Sequence, residues 1–357
     1  MTLIIAEAGV NHNGDESLAF ELVKAAYEAG ADIVKFQTFK AKNLVTEHAQ
    51  QAEYQAKNSQ RKETQLAMLS RLELPYEAHH RLLSYCQSLG IEFLSTAFDE
   101  ESLTFLVKDI GLKRLKIPSG ELTNAPLVLA HARSGCELIV STGMATLAEV
   151  EMALQVIAFG LTCGPQVPPS QAAFMSAYLS SEGQQALRNK VILLHCTTEY
   201  PAAIEDVNLR AMDTLHNAFG LPIGYSDHTS GITVPVAAVA RGAGVIEKHF
   251  TISQNLPGPD HKASLEPQEL KAMVEGIRLV ESALGSPLKA PSPAELKNKV
   301  IARKSLVAIQ PIKVGESFTE NNIGTKRPGN GKSPYLYWDT IGRQAQREYK
   351  LGDIILD

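Results

Sequence analysis

Two short apolar runs lead to histidine. Leu221–Tyr225 runs into Ser226-Asp227-His228, and Val245-Ile246 runs into Glu247-Lys248-His249. The stretch 232–241 between them is long enough for one helix, so the pattern is strand, helix, strand with a histidine at each exit. A parallel α/β barrel brings the C-terminal ends of neighbouring strands to one shared mouth. Two neutral imidazoles there could hold one divalent ion and leave its other positions open. Either histidine alone would read as a loop or core residue. The pair at adjacent strand ends is what points to a metal.

Other polar residues gather at the ends of apolar runs: Glu7, Lys35, Gln37, Thr96, Lys116, Ser141, His195 and Glu247. A buried lysine at a strand end is costly unless an anion faces it. Lys35 and Lys116 would place positive charge at the mouth. Ser119, Ser141 and the backbone amides near Gly120 and Gly143 would add hydrogen bonds. That combination suits a phosphate or a carboxylate. Glu121, just beyond Lys116, is a candidate acid or base; it is also where the helix dipole favours a first-turn glutamate. From the residues alone, the chain reads as a metal-dependent enzyme acting on a small anionic substrate.

The elements that must position these groups recur with a strand-helix rhythm. Strands are expected at 3–8, 33–38, 91–96, 114–117, 138–141, 191–195, 221–225 and 245–249. Helices follow them, with Asp15 and the capping box Thr146-Leu-Ala-Glu149 marking starts and Gly30, Gly90 and Gly285 marking ends. Within 33–38 the alternation sets Ile33, Lys35 and Gln37 on one face and Val34 and Phe36 on the other. Residues 40–74 read as a long polar loop with a short helix, and loops of that length tend to be functional. Eight units make a (β/α)8 barrel over 1–285, interrupted by an insertion at about 161–190. Residues 286–300 are Pro- and Ser-rich and read as a linker. From 301 to 357, short strands and turns suggest a small second domain.

The 357 residues are 44% hydrophobic, enough for a large core, and the net charge of −5 gives no global field for nucleic acid. The four cysteines show no paired spacing and read as reduced thiols of a cytoplasmic protein. The N-terminus lacks the basic stretch of a signal peptide, and no apolar run approaches membrane-spanning length.

At these residues the sequence resembles the sialic acid synthase family. The motifs are Ala6-Glu-Ala-Gly-Val-Asn-His-Asn-Gly14, Val34-Lys-Phe-Gln-Thr38, Lys116-Ile-Pro-Ser-Gly-Glu121 and Ser141-Thr-Gly-Met-Ala145. His195-Cys-Thr-Thr-Glu-Tyr-Pro201, Gly224-Tyr-Ser-Asp-His228, Glu247-Lys-His249 and Gly258-Pro-Asp-His-Lys262 continue it in order. The tail, with Lys326-Arg-Pro-Gly-Asn-Gly331, is similar to the family's antifreeze-like (SAF) domain. The resemblance spans essentially the whole chain and implies a TIM barrel followed by a SAF domain.

It also implies an N-acetylneuraminate synthase, which condenses phosphoenolpyruvate with N-acetylmannosamine and releases phosphate by C–O cleavage. By the same resemblance His228 and His249 bind Mn2+, with Mg2+ or Co2+ as alternatives. Lys35, Lys116, Ser119 and Ser141 hold phosphoenolpyruvate, with Thr96 and Phe98 lining that side. Glu121 sits beside the reacting carbons, and Glu7, Gln37, Tyr200 and Asp260 lie around metal and sugar. Arg327 looks like the family arginine that enters the partner's barrel, which implies a domain-swapped homodimer. The family also holds legionaminic and pseudaminic acid synthases, which take diacetamido-trideoxyhexoses; residues 43–58 and the neighbours of Arg327 are where the choice would lie. A rival of another class is a non-catalytic sugar-phosphate binding protein.

Overall fold

The computed structural model describes residues 1–52, 55, 56, 58 and 63–357. Eight parallel strands close on themselves: β1 (Leu3–Gly9), β2 (Ile33–Thr38), β3 (Glu92–Ala97), β4 (Arg114–Ile117), β5 (Glu137–Ser141), β6 (Val191–Cys196), β7 (Ile223–Asp227) and β8 (Val245–His249). β1 pairs with both β2 and β8, which removes the sheet edges. The strands are short β-branched or Leu-rich runs such as Leu-Ile-Ile-Ala and Ile-Leu-Leu, as expected of a sheet covered on its outer face.

Local signals start and stop the helices as the sequence indicates. The Asp15 carboxylate accepts from Ser17 N, Asp99 from Ser102 N and Asn124 from Leu127 N, and Thr146 with Glu149 completes a capping box. Gly90 and Gly220 end helices in the left-handed conformation. The buried apolar sides of these helices pack on the outward strand residues, including Ile4, Val34, Phe36 and Ile246, all fully buried.

Three sequence readings change. The seventh strand runs Ile223–Asp227 rather than 221–225, so His228 stands one residue past its end. Residues 161–190 fold as the last turn of helix Leu147–Thr162 and two further helices, Gln171–Leu179 and Ser181–Lys190; Phe174 packs edge-on against Phe159 at 5.1 Å. The expected linker 286–300 contains helix Pro293–Ala302. Ser292 and Glu295 form a capping box and Pro293 occupies the first turn, so the Pro and Ser content marks a helix start rather than a flexible tether. Of the 43–58 loop, residues 53, 54 and 57 lie outside the described residues. The described part of 40–74 includes the short helices Ala41–Leu44 and Gln65–Leu72.

The chain divides into Met1–Gly285 and Ser286–Asp357. The second unit has its own core of Leu306, Ala308, Ile312, Phe318, Ile323, Ala345, Tyr349 and Ile355, around the antiparallel pair β9 (Ser305–Ala308) and β10 (Ile323–Lys326). It carries twelve Lys and Arg against seven Asp and Glu, so it is basic while the chain as a whole is acidic. Among the described residues, no helix is long and apolar enough to cross a membrane.

Candidate active site

The C-terminal ends of the strands enclose a cavity of about 150 Å3. Its walls include Glu7, Lys35, Gln37, Thr96, Phe98 and Lys116 from the first half of the barrel, and Ser119, Ser141, Tyr200, His228 and His249 from the connecting turns and the second half. A larger apolar cleft of about 420 Å3 lies between helices 125–133, 147–162 and 171–179. Of these two, the smaller brings buried lysines, carboxylates and histidines together, so the chemistry is placed there.

A chain of buried charges forms its floor. Lys35 Nζ is 2.6 Å from Glu7 Oε2 and 3.7 Å from Glu247 Oε1, and it donates to Thr96 Oγ1 at 3.0 Å. Lys116 Nζ meets the same Glu247 oxygen at 3.0 Å, and Ser226 Oγ donates to it at 3.2 Å. Burial would push the Glu247 carboxyl up, but Lys116 and Lys35 overcome it and hold the group at about 2. Burial pulls Lys35 down, and the two carboxylates more than offset it, so its ammonium is held above its ordinary range. On the other side of Lys35, burial raises the Glu7 carboxyl against the pull of that lysine.

Strand geometry explains why these groups meet. Alternate residues share a face, so Lys35 and Gln37, Ser226 and His228, and Glu247 and His249 each point inward as i, i+2 pairs. β1 shifts register between Glu7 and Gly9, and Gly9 has φ +53°. A Cβ there would lie 3.2 Å from Glu7 Oε1, 3.3 Å from Gln37 Nε2 and 3.4 Å from His249 Cε1. The bare glycine leaves room for three cavity residues.

On the opposite wall, Gly143 N donates to Ser119 Oγ at 3.0 Å. The buried hydroxyls of Ser141 and Thr198 have no hydrogen-bond partner in the protein. Unsatisfied buried hydroxyls facing a cavity beside two lysines are suited to a bound oxyanion.

The histidine rings lie 5.5 Å apart, centroid to centroid, and the Tyr200 ring stands 4.1 Å from His228 and 5.5 Å from His249. His228 Nδ1 is 2.6 Å from the Thr197 carbonyl, which can only accept, so Nδ1 carries a proton. Burial pulls the ring down, but Cys196 and that carbonyl hold it above its ordinary range, and in its neutral form the Nε2 lone pair is the free one. Burial and the neighbouring His228 hold His249 well below its ordinary range, and its Nδ1 is buried without a partner.

Two expected residues, Glu121 and Asp260, are not on the cavity wall. Glu121 closes a 3-10 turn, is half-buried, and accepts from Asn124 Nδ2 at 2.7 Å. That turn carries its side chain toward the cap of the next helix, so it does not line the cavity. Asp260 is buried outside the lining; burial first, then the charge of Glu7, raises it to about 6. Arg327 is an exposed residue of the second unit, directly after β10. His195, also noted at a strand end, donates from Nε2 to the Val207 carbonyl at 2.7 Å and stays off the lining. Cys196, Thr198 and Ser226 are wall residues that the sequence reading did not single out. Ser226 was recoverable, because it sits two residues before His228 on one strand face.

A mouth of paired lysines, carboxylates and histidines on a (β/α)8 barrel defines a class of enzyme that handles small anions. The chain belongs to the NeuB family, whose pattern matches residues 22–289. It is 49% identical over 354 residues to the N,N'-diacetyllegionaminic acid synthase of Campylobacter jejuni, covering 99% of this chain and 98% of that one. It is 47% identical over 353 residues to the enzyme of the same name from Legionella pneumophila, covering 99% and 93%. Its fold matches the crystal structure of N-acetylneuraminic acid (sialic acid) synthetase from Leptospira borgpetersenii in complex with citrate. The TM-score there is 0.67, with 33% identity over 83% of this chain and 90% of that one. The higher identities fall on legionaminic acid synthases, which supports the alternative better than the expectation of an N-acetylneuraminate synthase.

Proposed function

We propose that this protein condenses phosphoenolpyruvate with a diacetamido-trideoxyhexose and water, giving a legionaminic-type nonulosonic acid and phosphate. The observation that carries the reading is the 49% identity, along nearly the whole of both chains, to an N,N'-diacetyllegionaminic acid synthase. The cavity chemistry supports the anionic half of the reaction.

Lys35 and Lys116 are arranged to face the carboxylate and phosphate, and Ser119, Ser141 and Thr198 to complete their hydrogen bonds. C3 of phosphoenolpyruvate attacks the open-chain aldehyde carbon, water adds at C2, and phosphate leaves with the bridging oxygen. Fixing the enol against the aldehyde lowers the entropic part of the barrier. Burial raises the carboxyls of Glu7, on the wall, and of Asp260, outside the lining, the latter to about 6, so both favour the proton more than an exposed carboxyl would. Glu121, turned toward Asn124, is assigned no proton transfer in this arrangement.

The donor set fits a divalent ion, Mn2+ first, held by His228 and His249. The Nε2 lone pair of His228 and the unpartnered Nδ1 of His249 are the grounds. Among the described residues no cluster of three or more His, Cys, Asp or Glu could hold an ion. The other positions of an ion bound by this pair would therefore fall to water and substrate oxygens. Such an ion would supply Lewis-acid polarisation of the aldehyde. His228 Nδ1, fixed by the Thr197 carbonyl, keeps its other nitrogen aimed for that role.

The basic second unit is assigned as a SAF domain of a domain-swapped homodimer, with Arg327 binding the sugar's acylamino group in the partner's barrel and the enzyme working in the cytoplasm. Phosphate release from phosphoenolpyruvate tests the whole reading: it should require both the sugar and a divalent ion. Binding of both substrates without release would establish the non-catalytic alternative instead.

A further inference from the structure

A second buried ion pair stands behind the histidines, outside the cavity. Asp227 and Lys248 face each other across β7 and β8, with Nζ 2.6 Å from Oδ2 and both side chains fully buried. Lys248 Nζ also donates to the Thr229 carbonyl. Asp227 Oδ1 accepts from Thr229 N at 3.1 Å, from Thr229 Oγ1 at 2.9 Å and from Tyr225 OH at 3.1 Å. None of these four residues lines the cavity.

The connectivity brackets His228. Asp227 precedes it, Thr229 follows it, and the Asp227 carboxylate ties the two together. Lys248 then grips both Asp227 and the Thr229 carbonyl, and Lys248 is the residue directly before His249. The turn that presents one histidine is thus bolted to the strand that presents the other.

Packing alone does not call for charge at this position. The residues in register with Lys248 on β1 and β2 are Ala6 and Val34, both buried and apolar. A buried ion pair is a poor source of stability compared with an apolar pair of similar size, because desolvation consumes most of its attraction. Its directional bonds, by contrast, fix backbone positions that apolar packing leaves free to slide.

We infer that Asp227 and Lys248 are positioning residues that set the spacing of His228 and His249 for a shared divalent ion. The inference rests on the reading of those histidines as the metal pair. The test is Mn2+ affinity, measured by the electron paramagnetic resonance of free Mn2+, for the full-length protein and for D227N/K248M. The double substitution removes both charges together, leaving no lone buried ion, and the amide oxygen introduced by D227N can still accept the bonds within the turn. Mn2+ should bind the double variant roughly 10–100-fold more weakly, the range for residues that orient metal ligands. Phosphoenolpyruvate affinity measured without metal should change less than about twofold, since neither residue touches the cavity.

Unchanged Mn2+ affinity in the folded double variant would overturn the inference and leave a merely structural pair. A parent protein that binds no Mn2+ would overturn the metal reading itself, and the inference with it. Should the double variant not fold, Thr229→Val removes one bond to Asp227 without burying a charge. It should weaken Mn2+ binding severalfold at unchanged phosphoenolpyruvate affinity, and an unchanged Mn2+ affinity there overturns the inference equally.

Discussion

Glu247→Gln probes the charge chain at its centre. Glu247 Oε1 lies 3.0 Å from the Lys116 ammonium and 3.7 Å from that of Lys35, all three side chains being buried. At an effective dielectric of about 20 the two attractions come to about 5.5 and about 4.5 kcal/mol gross. Most of that is offset by desolvation already incurred. Removing one partner of a buried ionic group typically costs about 3–5 kcal/mol net, because the remaining charges are left uncompensated. A loss of that size lowers the unfolding midpoint by on the order of 6–10 °C. The substrate changes the balance, because phosphoenolpyruvate places its own negative charge on the same two lysines. The expected result is a large fall in the thermal midpoint without ligand and a clearly smaller gap to the parent at saturating phosphoenolpyruvate, followed by scanning fluorimetry. An unchanged midpoint without ligand would refute the ionic account. The same gap with and without phosphoenolpyruvate would refute the assignment of the lysines to the substrate anion.

Three further outcomes follow from other parts of the structure. Gly9→Ala forces a side chain into a left-handed position and against Glu7, Gln37 and His249; kcat/KM should fall at least tenfold with about 1–2 kcal/mol lost in stability, and parent-like activity would show that the close approach is immaterial. His131 is buried with its Nε2 unpartnered, and burial lowers it to about 4, so the folded state resists the proton that the unfolded chain accepts below about pH 6.5. Its stabilising share is therefore present above pH 6.5 and lost as pH falls toward 4, at about 1.4 kcal/mol per pH unit. Urea unfolding of His131→Leu should show that much less pH dependence between pH 6 and 5, and an equal slope would contradict the burial argument. Arg327→Ala should raise the KM for sugar with little change for phosphoenolpyruvate, and mixing it with His228→Ala should restore activity if sites are built across two chains. Failure of mixed subunits to regain activity would rule out the swapped arrangement.

The barrel was legible because apolar strands recur eight times, with caps and glycines marking several of the helices between them, and because inward polar residues repeat at i, i+2. Lys35 with Gln37 and Glu247 with His249 show that repeat directly. Small wall residues such as Cys196 and Thr198 carry no comparable signal, since a cysteine or threonine near a strand end is common whether or not it faces a cavity. For Glu121 the distance along the chain from Lys116 was clear, but the 3-10 turn that aims it at Asn124 was not. The helix 293–302 was hidden by its Pro and Ser content, although Ser292-Pro-Ala-Glu295 is a start signal in its own right. The Asp227–Lys248 pair was invisible as a pair, because only the register of β7 against β8 brings the two residues together. The sugar preference was out of reach of the shared motifs, and the reading proposed for it rests on whole-chain identity to legionaminic acid synthases.

The most direct test of the central claim is a comparison of kcat/KM for two sugars with saturating phosphoenolpyruvate and Mn2+, followed by phosphate release. A site built to hydrogen-bond a second acylamino group should reject a sugar lacking it by roughly 100-fold or more, so the diacetamido-trideoxyhexose should be preferred over N-acetylmannosamine by about that factor. Equal use of the two sugars, or a preference for N-acetylmannosamine, would contradict the account.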